Sequence, residues 1–227
     1  MNPNHPTLAA RLRRRSACVL AGLGLVALVA GCGALPERPQ RAALYDFGPG
    51  PLGAGAATAP AAAPALPAIA LAEIESNPRL EGTQLLYRLG YADANELRPY
   101  GRARWSMAPA QLLRQRLRET LAQRRTVLGP EESATMARGN GGTPDTLRIA
   151  LDEFSHYFES PGRSVGLVRL RATLIRQTPG GDRVLGQKSV TVQRPATTAN
   201  APGGVQALAA ASNAAALEIV EWVDQTR

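Results

Sequence analysis

The most constraining feature of this chain lies at its start. Arg11, Arg13, Arg14 and Arg15 precede an uncharged run from Ser16 to Ala30, which stops at Gly31-Cys32. A basic start, a short apolar stretch and small residues before a break are the parts of an export signal. The run is shorter than the roughly 20 residues a helix needs to cross a bilayer, and Pro/Gly-rich sequence follows it. Removal of residues 1–31 is therefore expected, and the fold must come from what remains, outside the cytoplasm.

Val29-Ala30-Gly31-Cys32 resembles the lipobox of bacterial lipoproteins, in which the cysteine thiol receives a lipid and cleavage occurs just before it. Cys32 is the expected lipidation site. Several acyl chains, at ~0.8 kcal/mol per buried methylene, would hold such a protein on a membrane almost permanently. Gly33 follows the cysteine, where an Asp would signal retention at the inner membrane, so the inner leaflet of the outer membrane is the expected address. Cys18 leaves with the signal and the sulfur of Cys32 carries lipid, so no disulfide is available, although the periplasm would permit one. The hydrophobic core must suffice. The four arginines before Cys32, with no acid among them, account for half of the formal charge of +8. The remaining excess is small, and no basic run with interleaved aromatics appears, which argues against a nucleic-acid partner.

Three regions follow: a signal peptide (1–31), a lipidated N-terminus and tether (32–66), and one domain (67–227). Residues 49–66, PGPLGAGAATAPAAAPAL, have little to bury and scatter proline where helix would need amide donors. Tyr45-Asp46-Phe47-Gly48, just before, reads as a small strand or a docking peptide. In the domain, 68–75 and 82–91 read as strands, the second with Leu85, Tyr87, Leu89 and Tyr91 on one face, and 100–105 is a candidate third. Ser106 is a candidate N-cap for a helix to about Arg124, with Pro109 in its first turn. Leu112, Leu113, Leu117, Thr120 and Leu121 form its apolar side, and Arg114, Arg118 and Arg125 a row on another. Residues 129–144 read as a loop, or a loop containing a short helix.

Alternation over Leu147–Asp152 and Val168–Ile175 predicts two more strands, and Thr178–Asp182 a turn into 183–193, with Val184, Val190 and Val192 on one face. A helix over about 204–226 would bury Val205, Leu208, Ser212, Ala215, Ile219, Trp222 and Val223, leaving Glu218, Glu221 and Asp224 outside. The order β-β-β-α-β-β-β-α predicts an α+β fold, a mostly antiparallel sheet with two amphipathic helices on one face.

Little in the sequence points to chemistry. His5 leaves with the signal, and His156 alone cannot supply a multi-histidine metal site. His156 with Asp152 or Glu153 and a serine could be imagined as a nucleophilic set, but no Gly-x-Ser-x-Gly elbow is present. Gly139, Gly141 and Gly142 lack the GK[ST] ending of a phosphate loop, and Glu131-Glu132 sit in the polar loop. No enzyme activity, metal or cofactor is expected.

Residues 80–121 resemble the ABC-type transport auxiliary lipoproteins, the group that includes the paraquat-inducible PqiC (YmbA) proteins. The resemblance rests on Leu86-Tyr87-Arg88 in a strand, Tyr91, Tyr100, and Arg104-Trp105 before a helix bearing Leu113, Leu117 and Leu121. The lipobox, Tyr45-Asp46-Phe47-Gly48, the β-rich second half and the terminal helix are laid out as in that family. Many relatives carry an Asp-Arg pair after the first strand, where this chain reads Ser76-Asn77-Pro78-Arg79.

The resemblance implies a lipid-transport system in which an ATPase and permease work with an MCE-domain (MlaD-like) protein. The lipoprotein would dock at the outer-membrane end, with assembly of copies into a ring as a further implication. Arg104, Trp105, Tyr87 and Tyr91 are the candidate partner or lipid contacts; Trp105 reads first as a core or helix-entry anchor and Tyr87 and Tyr91 first as core, with a partner surface as the alternative. The alternative is an independent outer-membrane assembly or lipid-chaperone lipoprotein that holds an amphiphile in its own cavity.

Overall fold

Three long strands dominate the sheet, and each outruns its alternating core. The computed structural model describes residues 41–49, 66–133, 135 and 143–226. Cys32, the signal, residues 50–65 and half of the 129–144 segment lie outside these. In chain order the strands are β1 (Ala43–Tyr45), β2 (Leu66–Leu71), β3 (Glu75–Ser76), β4 (Gln84–Leu89), β5 (Asp93–Trp105), β6 (Arg125–Leu128), β7 (Asp145–Ser160), β8 (Arg163–Thr178) and β9 (Gly181–Pro195). The helices are α1 (Pro109–Ala122) and α2 (Ala201–Gln225).

Strand β7 is the hub. One edge pairs along its length with β8, which pairs in turn with β9, both antiparallel. Its other edge is shared by β2, β3 and β4 in succession, each parallel to it. Strand β5 returns antiparallel on β4 and carries β1, parallel, at its far edge; β6 lies parallel on β2. The long ladders are antiparallel and the short ones mostly parallel, in one α+β sheet with the helices packed on it.

Alternation in β7 breaks where the sequence reading stopped it, and the reason is a bulge. The register with β8 slips between Leu151 and Glu153. Since side chains alternate with a period of two, one extra residue moves the inward set from odd to even positions. Leu147, Ile149 and Leu151 are inward before it, and Phe154, His156 and Phe158 after it. A second slip opposite Leu174/Ile175 leaves Leu185 unmatched in β9. Val190 and Val192 are buried, but Val184 falls beyond the slip and is 60% exposed, so the three valines do not share a face.

Two helix expectations also change. Helix α1 starts after Ala108, not Ser106, with no side-chain cap; Pro109 at its first position has no amide to satisfy and a preset φ, so the start needs less help. Arg125 is not on α1 at all. It opens β6, is buried, and pairs with Asp224 of α2, which also takes Arg124. Asp224 is thus drawn inward as a clamp between β6 and α2, not left on a solvated face. Arg114 of the helix row reaches Glu73 at 3.1 Å.

Helix α2 is capped by Asn200, whose Oδ1 accepts from Gly203 N at 3.1 Å. Ala207, Ala211, Ala215 and Ala216 are buried on it, and small side chains let it lie very close to the sheet. A Cβ on Gly166 of β8 would fall 2.4 Å from the Ala207 carbonyl carbon.

Candidate functional site

The segment 43–48 docks as a strand. Ala43, Leu44 and Tyr45 pair with Ala103, Arg104 and Trp105 at the edge of β5, and Ser106 N donates to Tyr45 O at 2.7 Å. Asp46 Oδ1 then accepts from Gly48 N at 2.7 Å, turning the chain through Gly48 at φ +70°, a region glycine enters without a Cβ clash. This turn drives Phe47 inward against Trp105 (centroids 5.7 Å, edge-on) and Phe154 (6.1 Å). From α1, Arg116 Nη2 donates to the carbonyls of Phe47 and Gly48 at 3.3 and 3.2 Å. Beside it lies a cleft of about 250 Å³ lined by Phe47, Met107, Leu112, Gln115, Arg116 and Glu119.

A second aromatic group continues along β7. Tyr87 packs at a tilt on Tyr100 (centroids 4.7 Å) and meets Phe158 edge-on, and the His156 ring lies 4.4 Å from that of Phe158. The His156 ring, 0% exposed, shares hydrogen bonds with Tyr100 Oη through Nδ1 (2.9 Å) and Ser164 Oγ through Nε2 (2.7 Å). Both hydroxyls can donate or accept, so a neutral imidazole is satisfied in either tautomer. Burial pushes the imidazole down to about 4 and raises the Tyr100 phenol, because desolvation penalises each charged form. Gly204 of α2 lies over the ring; a Cβ there would be 2.4 Å from Nδ1.

Ser164, His156 and Tyr100 have the spacing of a nucleophile and base, but the set is sealed. Ser164 is 3% exposed beneath α2, and the third group is a phenol with no carboxylate to stabilise an imidazolium. No substrate atom can reach the hydroxyl, so the relay is a packed polar joint between β5, β7 and β8. Among the described residues no cluster of His, Cys, Asp or Glu could hold a metal ion.

A third joint ties the hairpin down. Arg88 of β4 meets Glu153 of β7 through two hydrogen bonds, Nη2–Oε2 at 3.0 Å and Nε–Oε1 at 3.4 Å, and its Nη1 donates to the carbonyls of Ala94 and Asn95. Glu153 sits just past the bulge, which is what aims it outward at β4.

The candidate contact residues separate. Trp105 is 1% exposed, Tyr87 and Arg104 are half-buried, and Tyr91 lies in the β4–β5 turn, beyond the end of the strand, 48% exposed. Tyr91 does not share a strand face with Leu85 and Tyr87. Cys32 lies outside the described residues. Sequence reading missed Arg116 and Gly204 and gave Arg88 no role beyond the resemblance; their partners are main-chain carbonyls, a ring and a post-bulge carboxylate, and no local pattern records such partners.

A family model described as "ABC-type transport auxiliary lipoprotein component" matches residues 52–220. The chain belongs to that family. Among solved structures it is similar to protein XCC0632 from Xanthomonas campestris, of the DUF330 family, with a TM-score of 0.59 and 17% identity over 70% of this chain and 83% of that one. An uncharacterized protein gives a TM-score of 0.55 at 12% identity, covering 81% of this chain and 99% of that one. At these identities the likeness is one of fold. No curated protein matches the chain. The expectation drawn from Leu86-Tyr87-Arg88 and Arg104-Trp105 thus agrees with the family match, and this auxiliary lipoprotein carries no helix, among the described residues, long and apolar enough to cross a membrane.

Proposed function

We propose that this protein is a non-enzymatic lipoprotein component of an ABC/MCE-type intermembrane lipid transport system. Lipid on Cys32 holds it at the inner leaflet of the outer membrane, where its domain docks the MCE-domain protein of the transporter. The family match over 52–220 carries the reading, and the sealed polar core supports it, since the described residues present surfaces and joints in place of an open reaction site. Tyr91 and Arg104 would meet the partner directly; Tyr87 and Trp105 would act from beneath, by holding the surface. Copies of it assemble into a ring around a common lipid path.

The alternative, an amphiphile held in a cavity of this chain, finds weak support. The cleft beside Phe47, about 250 Å³, falls below the ~300–1,000 Å³ of ordinary small-molecule sites, and the wider recess of about 520 Å³ is lined mainly by Arg118, Gln123, Arg124, Arg125 and Thr126, which offers little apolar surface to an acyl chain.

Crosslinking of the tagged full lipoprotein in intact cells of its native host tests the proposal. Capture of an MCE-domain protein, lost when Cys32 is replaced by Ser, is the expected result. Capture of outer-membrane assembly proteins alone, or co-purified lipid without a transporter component, would overturn it.

A further inference from the structure

The expected tether is interrupted by a docked strand, and that changes its mechanics. Residues 43–48 are held at both ends: by the β5 ladder and the Ser106–Tyr45 hydrogen bond at one, and by Phe47 between Trp105 and Phe154 with Arg116 on the carbonyls of Phe47 and Gly48 at the other. The next described segment begins at Leu66, in β2. We infer that Ala43–Gly48 is a clip that fixes where the lipid's leash meets the domain, so that residues 33–42 alone set its reach and the length of residues 49–65 adds nothing to it.

The two arrangements differ in length by a factor of about three. A chain spans at most ~3.3–3.6 Å per residue. Residues 33–42 can therefore separate Cys32 from Ala43 by no more than about 40 Å, whereas an undocked stretch from 33 to 65 would allow about 120 Å. With the clip closed, the leash can be no longer than residues 33–42 allow. With it open, it reaches well into the periplasm. Force along the leash enters the sheet through β1, at the edge of β5, and bypasses the Ala/Pro-rich stretch altogether.

This inference rests on the proposed lipidation of Cys32, and its test separates the two. The full lipoprotein is purified with its acyl groups and placed in phosphatidylethanolamine/phosphatidylglycerol vesicles containing an acceptor-labelled lipid. A donor dye is attached through Gly180→Cys, in the exposed β8–β9 turn. Twelve Gly/Ser residues are inserted either between Gly33 and Ala34 or between Ala57 and Thr58.

The clip predicts reduced energy transfer for the first insertion and unchanged transfer for the second. Combining Phe47→Ala with Arg116→Ala opens the clip, and the second insertion then lowers transfer as well. Equal responses to both insertions with Phe47 and Arg116 intact would overturn the clip while leaving lipidation standing. An unacylated Cys32, read from the mass of the N-terminal peptide, would overturn both. Hydrogen exchange at residues 43–48 gives a second measurement: protection comparable to β5 is expected, and exchange at the rate of free chain would refute docking.

Discussion

Acid should weaken this fold through one residue, His156. Its ring is wholly buried and is held near a pKa of about 4, while in the unfolded chain it titrates at an ordinary 6.5. Below 6.5 the unfolded chain takes up a proton that the folded one refuses, so stability is full above pH 6.5 and declines as the pH falls toward 4. Linkage at ~1.36 kcal/mol per pKa unit gives a loss of about 2 kcal/mol by pH 5 and about 3 kcal/mol by pH 4. Carboxylates contribute their own acid dependence, so the measurement is a difference. Urea unfolding of the lipid-free Cys32→Ser chain and of the same chain with His156→Gln, each followed from pH 7.5 to 4, isolates the histidine. Glutamine should be the less stable at neutral pH, through an imperfectly refilled site, and the gap should close or reverse by about 3 kcal/mol at pH 4. Parallel curves with a constant gap would refute the argument that burial holds the ring neutral.

Gly204→Ala places a methyl 2.4 Å from the His156 ring and should cost about 1–3 kcal/mol in urea unfolding as α2 is pushed off the sheet; an unchanged midpoint would mean the helix rides higher than described. Glu153→Gln leaves the Arg88 guanidinium buried without its counter-charge and should destabilise by about 3–5 kcal/mol, with the largest rise in hydrogen exchange in β4 and the start of β5. A photo-crosslinking phenylalanine analogue at position 91 should capture the transporter partner in cells far better than one at position 105, because Tyr91 is exposed and Trp105 is not. Equal yields from both sites would remove the proposed contact surface.

The apolar side of α1 and the α2 arc were legible because each holds its period of 3.6 over several turns, with Leu112, Leu113, Leu117 and Leu121 all buried as spaced. The strands were legible in their centres and illegible at their bulges. Nothing in Leu151-Asp152-Glu153-Phe154 announces that Asp152 is the surplus residue; the slip exists because β8 pairs on one edge while β4 must be met on the other. Arg125 was misplaced because β6 starts within three residues of the end of α1, so helical spacing runs on past the helix. The docking of 43–48 was undecided from sequence for a simpler reason. A three-residue strand has too little alternation to measure, and its affinity for β5 depends on Trp105, Phe154 and Arg116, which lie about 60 to 107 residues away.

The position of β7 also governs when this chain can fold. Strands β2, β3 and β4 all finish their pairing on one edge of a strand that begins at Asp145. A chain threaded unfolded across a membrane, N-terminus first, thus delivers most of its length before the template for its sheet arrives. Contacts between segments so far apart close slowly, whereas β7, β8 and β9 need only two tight turns. The meander is therefore the natural starting point, and the N-terminal strands join it last. Until then the first half of the protein can close only its own pairs, β1 and β4 with β5 and β2 with β6, which under the proposed export would leave much of it open while it crosses.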